Sequence, residues 1–234
     1  VTKQELYGMT YISGEYQNVN IHAMVTGMGK SAAAAGAQLL IYLAKPRAVI
    51  FTGIAGGLNP ALNIGDIVVG STLRYLETNE DIIADCKPYM KVFHSDNNLV
   101  SICSRVLDHM GFAKALPMRE SLGVQINEVE EARKEYVLGT IATSDQFNTD
   151  ENVLDEIRST IFADCEEMEG ASVAHISAKC NVPFLAIRAI SNQCGESYEE
   201  VDSNIQNLHI AAQRAGEVAL GVVNLLTVGD EFSK

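Results

Sequence analysis

The sequence predicts an α/β protein: a single domain on a twisted, mainly parallel (mixed) sheet flanked by helices. Three observations carry that expectation. Short apolar runs alternate with helical segments along the chain, the pattern of a sheet covered on both faces. Glycine-rich stretches directly follow two apolar segments, at strand ends where ligands of such folds bind. No Pro/Gly/Ser linker, repeat or low-complexity tract divides the 234 residues, so one domain can span 1–234.

The elements follow in order. Val19, Ile21, Ala23 and Val25 alternate with Asn20, His22, Met24 and Thr26, a period of two that reads as a half-buried strand. Gly27-Met28-Gly29 turns the chain into an alanine-rich helix, Ser31 to Ala44, closed by Pro46. Ala48-Val49-Ile50-Phe51 is a continuous apolar run, expected of a strand buried on both faces, and Gly53-Ile54-Ala55-Gly56-Gly57 ends it. Ile67-Val68-Val69, reached through Gly65-Asp66, is a further buried strand, and Leu99 to Met110 reads as a helix. Ile141 to Asp145 reads as a strand end entering a polar loop. Glu169 to Lys179 is helical, Phe184 to Ile190 is a buried strand, and a last helix runs from about Ser203 to Leu226. In that helix Ile205, Leu208, Ala212, Ala215 and Val218 recur at helical spacing.

Composition excludes some function classes. The formal charge is −13, and no Lys/Arg cluster offers the basic patch that nucleic-acid binding needs. An acidic surface also disfavours anionic membranes and polyanionic substrates, and no apolar run is long enough to span a bilayer. A small neutral or zwitterionic substrate is compatible. The five cysteines have irregular spacing without a CxxC pair, which suggests neither zinc nor a redox motif and fits free thiols in a reducing, cytoplasmic compartment. The chain opens on Val1 without a recognisable signal peptide.

Four segments could carry chemistry. Gly27-Met28-Gly29-Lys30 joins a strand to a helix N-terminus, which suits an anion or polar group, but it lacks P-loop spacing. Thr52 to Leu58 holds several glycines, useful where a flat ligand lies against the main chain or where neighbouring turns crowd. Cys165-Glu166-Glu167-Met168-Glu169-Gly170 reads as a helix start, where carboxylates favour the helix dipole or accept bonds from vicinal hydroxyls. Arg188-Ala189-Ile190-Ser191-Asn192 places a polar pair after a buried strand, for a ligand or for a cap. His22 and His175 read as structural or surface side chains, and Cys194 has no evident base beside it.

GMGKSAAAAGAQLL, FTGIAGGLNPALNIGDIVVG, SDQF and EEMEGASVAHISAKCNVPFLAIRAISN occur in the order found in one family. From about Gly14 onward the chain resembles the methylthioadenosine/S-adenosylhomocysteine nucleosidases of the nucleoside phosphorylase superfamily. The resemblance implies a partly closed sheet, usually in a homodimer, and hydrolysis of an N-ribosidic bond to release adenine and a thioribose without metal or organic cofactor. It implies that Glu169 holds the ribose hydroxyls, Met168 packs against the sugar, and Glu167 helps position water. Phe147 is expected to stack on the purine, with the backbone of Asn148 facing its edge. Met28 would line the sugar or alkylthio region, and Ala55 and Gly56 would lie close to the base. Ser191 and Asn192 belong to the strand-end motif that meets the leaving purine.

Two departures from the family pattern stand out. The family's general acid is an Asp after the Ser of the strand-end motif, where this chain has Asn192. An amide donates a hydrogen bond but yields no proton at neutral pH, and losing general acid catalysis costs about 10²–10⁴-fold. An engineered substitution, a branch with another leaving group such as the similar futalosine hydrolases, or a nucleoside-binding or storage protein would each show this. The family also opens on a strand whose following acidic loop activates water; that strand is expected to be missing here, and Glu5 is a poor substitute. Related phosphorylases bind phosphate through an Arg near the position of Phe51, so Phe51 points to water as the nucleophile.

Overall fold

A computed structural model of the chain describes residues 1–121 and 133–228. Its strands are β1 (Thr2–Leu6), β2 (Met9–Tyr16), β3 (Val19–Val25), β4 (Val49–Gly57), β5 (Ile67–Tyr75), β6 (Phe93–His94), β7 (Ala113–Lys114), β8 (Glu135–Thr143), β9 (Cys165–Glu167) and β10 (Phe184–Gln193). The helices are α1 (Lys30–Ala44), α2 (Glu80–Ala84), α3 (Asn97–His109), α4 (Met118–Ser121), α5 (Glu151–Glu156), α6 (Gly170–Lys179), α7 (Tyr198–Ser203) and α8 (Ile205–Val228), with a π-helical turn at Ile157–Ile161.

The main sheet runs β6-β5-β10-β4-β9-β8-β7, and β5 also pairs with β8. The strands β5, β10, β4, β9 and β8 thereby close into a ring. β10–β4, β5–β8, β7–β8 and β8–β9 are parallel; β10–β5, β4–β9 and β5–β6 are antiparallel. The sheet is therefore mixed, as expected.

Strand alternation splits the core in two. Val68, Leu73, Val137, Ile141, Ala186 and Ile190 pack under Ala33, Ala37 and Ile41 of α1 and Ala171 and Ala174 of α6. Ile67, Val69, Leu185 and Ile187 face the other way, against Leu99, Ile102 and Val106 of α3 and Ala211, Ala215 and Val218 of α8. On α8 the buried stripe is Ala211, Ala215, Val218 and Val222, whereas Ile205 and Ala212 face outward. The expected spacing was right and its phase was right only at Ala215 and Val218.

Three further expectations change. β1, β2 and β3 form a separate antiparallel meander, and β3 is not half-buried: Val25 is 63% exposed. Among the described residues β3 pairs with β2 alone, and β4 has no partner opposite β10 before Gly56. The second correction concerns Gly53 to Gly57, which continue β4 rather than forming a loop. There, a β-carbon on Gly53 would lie 2.6 Å from an Arg188 guanidinium nitrogen. One on Gly56 would lie 2.8 Å from Cys194 Sγ and 3.4 Å from Asn192 Nδ2. These glycines admit the protein's own side chains across β4. Lastly, Glu166 and Glu167 sit on β9, and helix α6 begins only at Gly170.

Candidate active site

The corner between β9 and α6 is fixed by Glu167. Its buried carboxylate accepts hydrogen bonds from Thr143 Oγ1 (2.5 Å), from the backbone N–H of Gly170 (2.7 Å) and Glu169 (3.0 Å), and from Arg188 Nη2 (2.5 Å). Arg188 is itself buried and lies over the Phe51 ring, 4.2 Å from its centroid. With both oxygens engaged, Glu167 serves as an anchor that sets the loop carrying Met168 and Glu169. Its lone pairs are all met by protein donors.

Glu169 is the N-cap residue of α6. Its Oε1 accepts the N–H of Gly29, the N-cap of α1, at 2.7 Å. The polar group expected at that helix N-terminus is thus the protein's own carboxylate. Arg188 Nη2 is 3.9 Å from Glu169 Oε2. Burial, as the largest influence, pushes the Glu169 carboxyl above the ordinary range; the Gly29 N–H draws it back, Glu167 adds to the rise and Arg188 opposes it.

At the end of β10 the register against β4 shifts between Ile190 and Asn192. This bulge adds one residue and re-aims the side chains that follow it. Ser191 Oγ donates to Asn192 Oδ1 (2.9 Å) and to the Ala55 carbonyl (3.3 Å), while Asn192 Nδ2 donates to the Gln193 carbonyl (3.1 Å). Asn192 is buried, oriented and beside Gly56. The second hydrogen on its Nδ2 can meet a ligand acceptor.

Between these two corners runs a chain of polar contacts. Lys30, next to Gly29, bonds Glu77 (2.5 Å) and lies 3.2 Å from Asp145. Glu77 accepts from Ser144 Oγ, and Ser144 Oγ accepts in turn from Asn148 Nδ2 (3.2 Å). Asn148 Nδ2 also donates to Glu166 Oε1, and Glu166 Oε2 faces Cys194 Sγ at 3.9 Å. Burial pushes Glu77 up, but Lys30, Ser144 and the Asp145 N–H outweigh it and hold the carboxyl below its usual range. Glu166 has the opposite balance: burial raises it to about 7, the bond from Asn148 only partly opposes that, and the charge of Glu77 adds to it.

The residues named from sequence fall into three groups. Glu169, Met168, Glu167 and Gly29 meet at the α6 corner; Ser191, Asn192, Ala55 and Gly56 meet at the β4–β10 end. The third group is more open: Phe147 is 43% exposed with its ring edge-on to Tyr198 (5.9 Å), and Met28 is 75% exposed. For Asn148 it is the side chain, rather than the backbone, that makes the notable contact. Sequence reasoning passed over Glu77, Lys30 and Glu166. Lys30 was visible in the GMGK turn and Glu166 in the run of carboxylates, but nothing in the spacing separated Glu166 from Glu167. His175 stacks on Phe93 (4.7 Å) and His22 Nδ1 meets Tyr11 Oη (2.6 Å), both in structural roles. All five cysteines are free thiols, and burial alone pushes Cys103 up to about 12.

A family model described as the phosphorylase superfamily matches residues 2–224. The chain belongs to the phosphorylase superfamily. Within it, the chain is 32% identical over 222 residues to the 5′-methylthioadenosine/S-adenosylhomocysteine nucleosidase of Glaesserella parasuis, covering 94% of this chain and 87% of that protein. The enzyme of the same name from Bacillus subtilis is also 32% identical, over 91% of this chain and 84% of its own length. This superfamily member therefore groups with those nucleosidases. Solved structures extend the likeness in fold. The Neisseria meningitidis nucleosidase in complex with methylthio-immucillin-A superposes with a TM-score of 0.76 at 22% identity, over 95% of this chain and 88% of that one. The Helicobacter pylori futalosine hydrolase gives 0.77 at 23% identity, over 95% and 87%. Among the described residues no helix is long and apolar enough to cross a membrane.

Proposed function

We propose that this protein hydrolyses the N-ribosidic bond of a purine nucleoside of the methylthioadenosine or S-adenosylhomocysteine type, releasing adenine and a thioribose. The observation that carries the reading is Glu169, a carboxylate positioned at the junction of two helix N-termini, with Glu167 and Arg188 fixing its loop. Cleavage of a riboside passes through a sugar cation, and a carboxylate that holds the vicinal hydroxyls also stabilises that developing charge. Phe147 offers the purine a stacking face at the open side, Ala55 and Gly56 flank it, and Asn192 supplies a hydrogen-bond donor at its N7. Asn148 lies along the purine edge, Met168 packs on the sugar, and Met28 lines the 5′ region.

Water is favoured over phosphate as the nucleophile by charge. Lys30 and Arg188, the cations of this corner, are each neutralised by a carboxylate, and Glu169 and Asp145 lie beside them. A phosphate dianion entering here would meet net negative charge with no uncommitted guanidinium or ammonium in that pair. A homodimer belongs to the same reading: exposed Val25, Met28, Tyr42 and Leu43 cluster in sequence around the turn and α1, apolar side chains that a second copy would cover. The free thiols suit a cytoplasmic location.

The test is adenine release from methylthioadenosine by the wild type and by Glu169→Gln. The wild type turns over, and the variant loses about 10²–10³-fold in kcat/KM, as expected for removing a group aimed at transition-state charge. Because burial raises the Glu169 carboxyl, wild-type activity falls on the acid side at a pH above the ordinary glutamate range as the carboxylate protonates. Equal rates for the two proteins would remove Glu169 from the chemistry. Asn192 favours a second reading: a protein that binds the nucleoside with no turnover would be a binder rather than a hydrolase. A futalosine-type hydrolase would show as preference for a nucleoside with another leaving group.

A further inference from the structure

We propose that Glu166, rather than Asn192, gives the leaving purine its proton. This rests on the nucleosidase reading above. The proposal starts from geometry. Glu166 pairs across β4 with Gly56, the residue over which Asn192 Nδ2 and Cys194 Sγ converge. Its Oε2 faces that same thiol at 3.9 Å, and its Oε1 is met by Asn148, which follows the partly exposed Phe147. A buried carboxyl and the amide that occupies the acid position thus lie on either side of Gly56, with the Cys194 thiol against both Gly56 and Glu166.

Its surroundings differ from those of a structural glutamate. Glu167, one residue on, has backbone, hydroxyl and guanidinium donors. Glu166 has the Asn148 amide and a weak thiol donor, since the Ser144 hydroxyl gives its proton to Glu77. The charged or titratable groups facing it are Glu77 from the end of β5 and Cys194 after β10, with Arg158 acting on Cys194 from the π-helical turn. A carboxyl in such a place is present in both protonation states near neutrality, as burial raises it to about 7. That suits a general acid working at ordinary pH.

The step balances simply. The C1′–N9 bond breaks and its electron pair goes to the purine. A ring nitrogen of the purine takes the proton of the Glu166 carboxyl, and Glu166 becomes a carboxylate. Water adds to C1′ and releases a proton, and protonation from solvent restores Glu166. Asn192 holds the base by a hydrogen bond throughout.

The experiment compares the wild type, Glu166→Gln and Glu166→Gln/Asn192→Asp on two substrates between pH 5 and 9. Methylthioadenosine needs protonation of its leaving group; 4-nitrophenyl riboside does not. Glutamine keeps the side-chain volume and still accepts the Asn148 N–H. The wild type is expected to lose kcat/KM on methylthioadenosine above about pH 7. Glu166→Gln lowers it by about 10²–10⁴-fold, abolishes the alkaline decline and loses at most a few-fold on 4-nitrophenyl riboside. The double variant recovers purine release, because Asp at position 192 can supply a proton. If Glu166→Gln keeps both the rate and the alkaline decline, or loses equally on both substrates, Glu166 is not the acid although the nucleosidase reading survives. If the wild type releases no purine from any nucleoside, the nucleosidase reading itself fails and this assignment goes with it.

Discussion

Glu166 and Glu167 are neighbours on β9, yet they face different worlds. Glu167 points into the side of the ring where α1 and α6 pack, and every lone-pair direction there meets a donor, including the buried Arg188. Glu166 points toward the loops after β8 and β10, equally hidden from water but short of donors and facing the charge of Glu77. The same side chain on adjacent residues is a structural clamp on one face of the strand and a titratable group on the other. Both residues are less than 9% exposed, and they differ in the donors that each one meets.

The sharpest way to break the comparison is to remove the clamp. Glu167→Ala leaves the Arg188 guanidinium buried without its main partner, and urea unfolding is expected to show a loss of about 3–5 kcal/mol. Replacing Glu167 and Arg188 together by apolar residues of similar volume should cost much less. A smaller effect is expected at Glu166. Its folded-state pKa is raised, so its contribution to stability is complete below the ordinary glutamate value and disappears as pH rises through about 7. Above that pH the wild type should fall behind Glu166→Gln by about 2–3 kcal/mol, whereas at pH 5 the gap should nearly close; unfolding at the two pH values measures it. A gap that does not change with pH would mean that Glu166 does not titrate in this range. The smallest effect belongs to Phe147→Ala. Its ring is partly exposed and already leans on Tyr198, so losing a stacking face worth about 1–3 kcal/mol should raise KM by about 5- to 150-fold with little change in stability, as read from initial rates.

Much of this was legible in the residues. Alternation of apolar runs with helices gives the sheet and its two covering layers because β5 and β10 are buried on both faces and so carry unbroken apolar stretches. The Ser191-Asn192 end of β10 was conspicuous as a polar pair after an apolar run, whereas Glu169 was singled out only through the family resemblance. Other features left no local trace. The β1–β3 meander was partly missed because Thr2 to Leu6 mixes polar residues without a clear apolar face. The glycines of β4 looked like a loop because their purpose, making room for Arg188, Cys194 and Asn192, depends on residues far along the chain. The distinction between Glu166 and Glu167 depends on which partners the fold brings to each, and no spacing rule encodes that.

The ring of strands has a consequence for the order in which the molecule can come into being. β4 and β5 are consecutive in sequence but do not pair with each other; β10 lies between them, bonded to both. On a ribosome, the first strands of the ring must wait with open edges until residues 184–193 have been made. No shorter nascent chain can hold Asn192 against Gly56, or Arg188 against Glu167. The pocket is thus created in one late event, and until then the exposed edges of β4 and β5 are open to pairing with a neighbouring polypeptide.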